Sequence, residues 1–508
     1  MGTLELARMG HLVAERCDRR EAFHRRPRMA TSSVDSEVPI TGAGDRCLQG
    51  DFTMSTIAVS AMPARGLLRI LGLAFGVATV VGGTVGLGIL RIPGTVAGLL
   101  PSPRLIYVVW LVGGLYAMLA VNTYAELATA VPRAGGPYVY VRRGFGNYLG
   151  FVTGWCDLAN LTASMAYMGV ACSEFLAPLL PRVAGHESLV APALIVTLAA
   201  VNSLGLKTGS ALQQLLTFLK VLLLLALVAA AFAYSGVTSA PALPAHPAAP
   251  MVGVAAIIVA LQLILQVYSG YNGACYFSEE ITDPGRTLPR SMFGGTLLVI
   301  VLYLLINAAL LLILTPAALA ASTLPAADAL AMLYGPVART AVVFVATALA
   351  LAVLHATVLV TPRVIYGMSR DGLFMQSGMY VTRTGVPLVA MWMATGIAVA
   401  FTQMGNFVFL SALVTVINVF VDLLCALALF VLRRREPNLP RPYRAFGYPW
   451  IPGVVVTTCT ALLIACILAN PRPSLAAVAV MAAAVPLFRY VCPARVRAVS
   501  SESPLSSL

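Results

Sequence analysis

Charge is scarce in this chain. Only 10% of its 508 residues are Asp, Glu, Lys or Arg, against ~25% in ordinary soluble domains. Hydrophobic residues make up 59%. A chain this apolar cannot hide its surface in one soluble core, and two membrane spans would leave most of it unexplained. The class is therefore a polytopic α-helical membrane protein. The nine cysteines form no CxxC and no His/Cys spacing, so neither a metal site nor a disulfide framework is indicated. Cys156, Cys172, Cys275, Cys425, Cys459 and Cys466 fall in apolar runs and read as small core residues. His355 is the histidine of the apolar runs. No nucleophile–base or metal constellation accompanies it, which argues against a membrane-embedded enzyme; no catalytic residue and no cofactor are expected. No apolar signal segment follows the early charges, and no sizeable soluble signalling domain is present, which disfavours a receptor or scaffold.

Twelve apolar runs approach the roughly 20 residues a spanning helix needs: 70–98, 105–131, 148–180, 189–206, 212–235, 251–281, 292–315, 339–366, 386–403, 407–432, 451–469 and 474–488. The net charge of +13 would fit nucleic acid, but its placement does not. If twelve spans alternate, Arg133, Arg142, Arg143, Lys207, Arg286, Arg290, Arg363, Arg370, Arg383, Arg433, Arg434, Arg435, Arg441, Arg444, Arg489, Arg495 and Arg497 share one side. The other side receives Arg104, Arg182 and Arg472, and its loops 236–250 and 316–336 carry no Lys or Arg. This is the positive-inside bias, so both termini are expected in the cytoplasm, with a lipid bilayer as partner and no nucleic acid. Residues 1–62 are polar and Arg-rich and read as a disordered cytoplasmic tail. Met54 or Met62 is an alternative start, leaving the tail untranslated. The transporter-like part is expected over 63–488, and 489–508 form a second cytoplasmic tail.

Two apolar runs are interrupted by glycine. The first interruption is Gly82-Gly-Thr-Val-Gly-Leu-Gly-Ile-Leu90, including Thr84, Gly86, Leu87, Gly88 and Ile89. The second is Gln266-Val-Tyr-Ser-Gly-Tyr-Asn-Gly273, including Val267, Ser269, Gly270 and Tyr271. Unwound backbone within a bilayer survives only around a ligand, water or protein, and paired breaks in corresponding halves mark a transporter's binding site. Amides at the start of a half-helix suit a carboxylate, and carbonyls at the end of another suit an ammonium. Together the breaks describe the backbone of a zwitterion. Close packing through small residues is the competing account of the first break, and a kinked structural helix that of the second. The breaks fall in spans one and six. That spacing fits two inverted five-helix repeats, 66–235 and 250–433, with accessory helices over 449–488.

Lys220 lies within Leu215-Leu-Thr-Phe-Leu-Lys-Val-Leu-Leu-Leu-Leu225. A cation there costs about 2.5–3.5 kcal/mol on insertion scales. It reads as a proton-coupling residue or as a fixed cation in place of sodium; snorkelling to the interface is the alternative. Asp157, Glu174 and Asp422 are the other acids within the runs, and His355 reads as a packed, hydrogen-bonded histidine. Glu126, Glu279 and Glu280 are expected to meet arginines at cytoplasmic helix ends, as an inner gate.

Four further stretches carry a resemblance: Ala125-Glu-Leu-Ala-Thr-Ala-Val-Pro-Arg-Ala-Gly-Gly-Pro-Tyr-Val-Tyr-Val-Arg-Arg-Gly-Phe-Gly146, Ser278-Glu-Glu-Ile-Thr-Asp-Pro-Gly-Arg-Thr-Leu-Pro-Arg290, Arg363-Val-Ile-Tyr-Gly-Met-Ser-Arg-Asp-Gly-Leu-Phe374 and Leu432-Arg-Arg-Arg-Glu-Pro-Asn-Leu-Pro-Arg-Pro-Tyr-Arg-Ala-Phe-Gly-Tyr-Pro449. In this order they resemble the amino acid–polyamine–organocation (APC) superfamily permeases, the last stretch looking like the L-type amino acid transporter branch and its bacterial relatives. The resemblance covers residues 66 to about 488. It implies an all-α polytopic membrane protein of about twelve transmembrane helices, with the leucine-transporter-type 5+5 inverted repeat plus two accessory helices. It also implies secondary transport of amino acids. In similar permeases a first-span stretch binds the substrate carboxylate through backbone amides. Here the match is Gly86-Leu-Gly-Ile-Leu90, where Leu87 replaces the family serine. Carbonyls of Gln266, Val267 and Ser269 would take the amino group, and Tyr271 stands where an aromatic covers the substrate. Lys220 matches the lysine that replaces a sodium site in sodium-independent members. Arg91 departs from the usual small residue and reaches toward the outer vestibule.

The leading expectation is a sodium-independent amino acid permease of the plasma membrane, working by alternating access through proton symport or exchange. The alternatives are a polyamine or organic-amine carrier, which Asp157 or Asp422 lining the pocket would favour, and a non-transporting amino acid sensor. Several L-type relatives pair with a glycoprotein through a disulfide near the outer end of span three. No Cys follows Pro178 in that loop, so no such partner is indicated.

Overall fold

A computed structural model describes residues 66–100, 102–183, 185–233, 253–404, 407–469 and 471–491. The expected tail 1–62 with its alternative starts, the loop 236–250 and most of 489–508 lie outside the described residues.

The described residues form sixteen α-helices and no strand. In chain order these are α1 (Leu73–Thr84), α2 (Gly88–Leu99), α3 (Pro103–Ala130), α4 (Pro137–Phe145), α5 (Asn147–Leu176), α6 (Glu187–Ser203), α7 (Leu206–Ala233) and α8 (Val254–Tyr268). They continue with α9 (Pro284–Ile313), α10 (Pro316–Ala321), α11 (Pro325–Tyr334), α12 (Pro336–Arg370), α13 (Leu388–Thr402), α14 (Phe407–Arg435), α15 (Trp450–Ala469) and α16 (Pro471–Val491). Proline opens many of them, at a position whose missing N–H costs nothing and whose fixed φ already suits a helix.

Eight of these elements are long and apolar enough to cross a membrane: α3, α7, α8 with its continuation to Phe277, α9, α12, α14, α15 and α16. The pair α1 and α2, bent by 44°, makes a ninth. The remaining apolar runs are also helical. α5 has 30 residues but is more polar, while α6 and α13 have 17 and 15. The loop over 316–336 folds into α10 and α11. The Thr315 side chain caps α10 by accepting from Ala318 N at 3.2 Å, and Pro316 and Pro325 start the two helices.

Polar contacts tie the ends together. Leu71 N donates to Glu280 O (2.9 Å) and Thr282 N to Leu71 O (2.8 Å), so the approach to the first broken span is joined to the exit of the second. Glu126 pairs with Arg433 at 2.5 Å and Arg441 at 3.1 Å. Glu279 meets Arg370 at 2.5 Å and Glu280 meets Arg363 at 2.9 Å. Gly146 takes φ 92° where α4 ends and α5 begins, a turn that a β-carbon would strain.

Candidate functional site

Each break leaves carbonyls without helical partners, and named side chains take them up. Lys220 Nζ donates to Gly82 O at 2.7 Å and to Val85 O at 2.8 Å. Its side chain is buried, so it does not snorkel. One and two turns earlier on α7, Thr217 Oγ1 and Gln213 Nε2 donate to Ala78 O at 3.0 and 3.1 Å. Residues 213, 217 and 220 share one face at helical spacing, and that face closes the first break. His355 on α12 backs it, with Nδ1 2.9 Å from Gln213 Oε1. Tyr303 on α9 serves both breaks: its hydroxyl lies 3.0 Å from Thr84 O and 3.2 Å from Val267 O, one donor shared between two acceptors.

The breaks touch. At Gly270, φ is +116°, and a β-carbon there would fall 2.9 Å from Gly83 C and Thr84 N. Both neighbours are backbone and cannot yield. Gly270→Ala should therefore cost about 1–3 kcal/mol in backbone strain and a similar overpacking penalty of about 1–3 kcal/mol. Thermal unfolding in detergent reads the loss. Gly83→Ala meets only Gly270 O, at 3.7 Å, and should unfold near the wild-type temperature.

A cavity of about 190 Å³ lies against this contact. Gln266, Ser269, Gly270 and Tyr271 line it, as do Thr79 and Gly83 of the first broken span. Thr84, Gly86, Leu87, Gly88, Ile89 and Val267 are not on its wall; Leu87 and Ile89 are buried in the core, and a β-carbon on Gly88 would meet Val267 Cγ2 at 2.9 Å. Among the carbonyls singled out for an amino group, Gln266 O accepts from Ser269 N and Oγ (3.2 and 2.7 Å) and Val267 O takes the Tyr303 hydroxyl. The Gln266 amide contacts the Thr415 hydroxyl.

On the opposite wall, Asp422 is a candidate from the sequence, while its polar neighbours are not singled out there. α5 supplies Asn160, Ser164 and Tyr167, and α14 supplies Ser411, Thr415, Asn418 and Asp422. Their spacings of three and four put each set on one helix face, a signal present in the sequence. α3 adds Tyr116, and α15 adds Cys459, Leu462 and Cys466. Cys459 and Cys466 are thus wall residues as well as buried ones, near the Tyr116 hydroxyl (3.4 Å) and the Gln262 amide (3.3 Å). Asp422 accepts from the hydroxyls of Tyr124 (2.6 Å) and Tyr271 (3.1 Å), and Asp157 accepts from that of Tyr276 (3.0 Å). Glu174 is exposed near the end of α5. Arg91 stacks over Phe175 at 5.0 Å and lines a second cavity of about 920 Å³ with Ser322 and Arg339.

The chain is similar in sequence to known proteins over most of its length. The family model described as amino acid permease matches residues 66–488. The b(0,+)-type amino acid transporter 1 of Mus musculus is 26% identical over 420 residues, 80% of this chain and 84% of the relative. The serine/threonine exchanger SteT of Bacillus subtilis (strain 168) is 25% identical over 396 residues, 77% of this chain and 89% of the relative. The branched-chain amino acid permease BcaP of Lactococcus lactis subsp. cremoris (strain MG1363) is 26% identical over 401 residues, 75% of this chain and 85% of the relative.

Proposed function

Because this chain belongs to the amino acid permease family, and is a multi-pass membrane transporter rather than an enzyme, we propose that its paired helix breaks bind an α-amino acid for sodium-independent transport by alternating access. The observation that carries this reading is the apposition of the breaks at Gly83 and Gly270 beside the cavity, with Lys220 on the carbonyls of Gly82 and Val85. Amides of Gly86–Ile89, at the start of α2, would receive the carboxylate, and carbonyls around Gln266–Ser269 the ammonium. Thr84, Gly270 and Tyr271 complete the proposed contacts. The fixed ammonium of Lys220 takes the place of a bound cation, and its deprotonation would couple proton movement to the break.

Twelve spans follow if α5, α6 and α13 cross the bilayer with the nine stronger candidates. Two inverted repeats, 66–235 and 250–433, then precede accessory helices over 449–488, and 1–62 and 489–508 are cytoplasmic tails at the plasma membrane. The pairs of Glu126, Glu279 and Glu280 with their arginines form the inner gate. No glycoprotein partner is needed in this reading. Relatives bear names of both exchange and permease type, and both coupling modes fit the site.

Uptake into proteoliposomes across a panel of amino acids tests the proposal, with and without a pH gradient, sodium or internal amino acid. Uptake that persists without sodium is the expected result; no uptake of any amino acid overturns it. The organic-amine reading keeps one supporting observation: Asp422 lines the cavity. Uptake of amines lacking a carboxylate, in preference to amino acids, would favour it.

A further inference from the structure

We propose that Asp422 sets specificity for a basic amino acid, its carboxylate pairing with the cationic end of the substrate's side chain. This rests on the reading above, in which the helix breaks hold the α-ammonium and α-carboxylate, and it names the substrate class.

Asp422 lies on the cavity wall and is only 8% exposed. Tyr124 donates to Oδ1 at 2.6 Å, while Tyr271 and Asn418 donate to Oδ2 at 3.1 and 3.4 Å. These donors are all neutral. No Lys or Arg is found among the residues lining the cavity, and Lys220 is directed at the first break instead. A carboxylate at membrane depth without a counter-cation is costly. Removing one partner of a buried pair is more costly than having neither. Neutral hydroxyls orient such a group and supply no positive charge, so the ligand supplies it.

The reach fits. Tyr271 belongs to the second break by its backbone and to Asp422 by its hydroxyl, so one tyrosine side chain spans the distance from break to carboxylate. A lysine or arginine side chain has comparable length. Leu265, Val414 and Val419 on the wall offer apolar surface to its methylene stem, the usual packing of such side chains.

The experiment uses the full chain in proteoliposomes. Lysine and leucine compete for uptake of a labelled neutral amino acid, and kcat/KM is measured for both in the wild type, Asp422→Asn and Asp422→Glu. In the wild type lysine should win, and in Asp422→Asn the lysine-to-leucine ratio should fall by about tenfold or more, the size expected for a desolvated charge pair. Asp422→Glu should restore part of it. An unchanged ratio overturns the proposal, including where the pH profile shifts, which would assign the carboxylate to a proton. Cadaverine competing better than lysine also overturns it, in favour of an amine carrier. If Asp422→Asn does not fold, a wild-type series from diaminopropionate through diaminobutyrate and ornithine to lysine decides: affinity rising with stem length supports the proposal, and a flat series overturns it. Leucine uptake with lysine excluded sinks this inference alone, whereas no amino acid uptake at all sinks the function beneath it.

Discussion

Lys220→Met is expected to reduce uptake about a hundredfold or more, the change corresponding to some 2.7 kcal/mol. The ammonium makes two hydrogen bonds to main-chain carbonyls of one unwound segment. Each charge-assisted bond contributes about 1.5–3 kcal/mol, so both together outweigh the roughly 2.5–3.5 kcal/mol recovered by removing a cation from the membrane. Methionine fills the space and leaves Gly82 O and Val85 O stranded. No water reaches a dry bilayer interior to replace the lost donor, so the segment must rearrange and carry Gly83 and Thr84 away from Gly270. The readout has two parts. Initial uptake rate at matched protein incorporation gives the size of the effect. The pH profile of Lys220→Arg separates the two roles of the cation, because Arg keeps the donors and does not deprotonate. A Lys220→Arg protein that transports without responding to pH would place coupling on Lys220. A Lys220→Met protein with full pH-dependent uptake would remove the coupling role and leave the binding site standing.

What could be read in the sequence and what could not follows from the range of each interaction. The breaks were visible because glycine in an apolar run weakens a helix wherever the run ends up. Lys220 was visible because a cation in such a run must find an interior partner. Its acceptors were not visible: Gly82 and Val85 lie 138 and 135 residues away, and only packing of α7 on α1 brings them together. Tyr303 was invisible for the same reason, one tyrosine in an apolar helix until folding sets its hydroxyl between Thr84 O and Val267 O. On α14, Asp422 stands out as an acid in an apolar run, whereas Ser411, Thr415 and Asn418 are legible only as a polar face of an otherwise apolar helix. Helices α10 and α11 hid in a loop whose Thr-Pro and Leu-Pro starts were the available signal. The family resemblance put the candidate site on Gly86–Ile89. In the structure the cavity wall takes Thr79 and Gly83 from the first broken span, positions ahead of that motif.

Arg363→Met is expected to be the most damaging single change outside the site. The Arg363 and Glu280 side chains are 1% and 0% exposed. Nε and Nη2 of the guanidinium donate to the two carboxylate oxygens at 2.9 and 3.0 Å, and Nη1 donates to Leu359 O at 2.8 Å. The guanidinium also lies over the Phe277 ring at 4.8 Å. This is a bidentate pair with a third donor on a main-chain carbonyl, the geometry in which two buried charges best offset their desolvation. Removing the arginine leaves Glu280 charged and alone, at a cost of about 3–5 kcal/mol, which is much of the net stability of a typical fold, about 5–15 kcal/mol. The protein should then accumulate poorly and run as an aggregate on size exclusion in detergent. The contrasting case is Arg143 with Glu436, 38% and 34% exposed, where the guanidinium holds the carboxylate below its usual range; such a pair is worth no more than about 1 kcal/mol. The double variant Arg363→Met/Glu280→Met removes both charges and should recover most of the lost stability, because an apolar pair of similar volume can be neutral or better. Transport need not recover with it. If the pair is the inner gate, the apolar double variant will fold and its transport rate will differ from the wild type's, since the two conformations would no longer be separated by a charge pair that must part. A folded double variant with wild-type rates would make Glu280–Arg363 a structural clasp between the second break and α12.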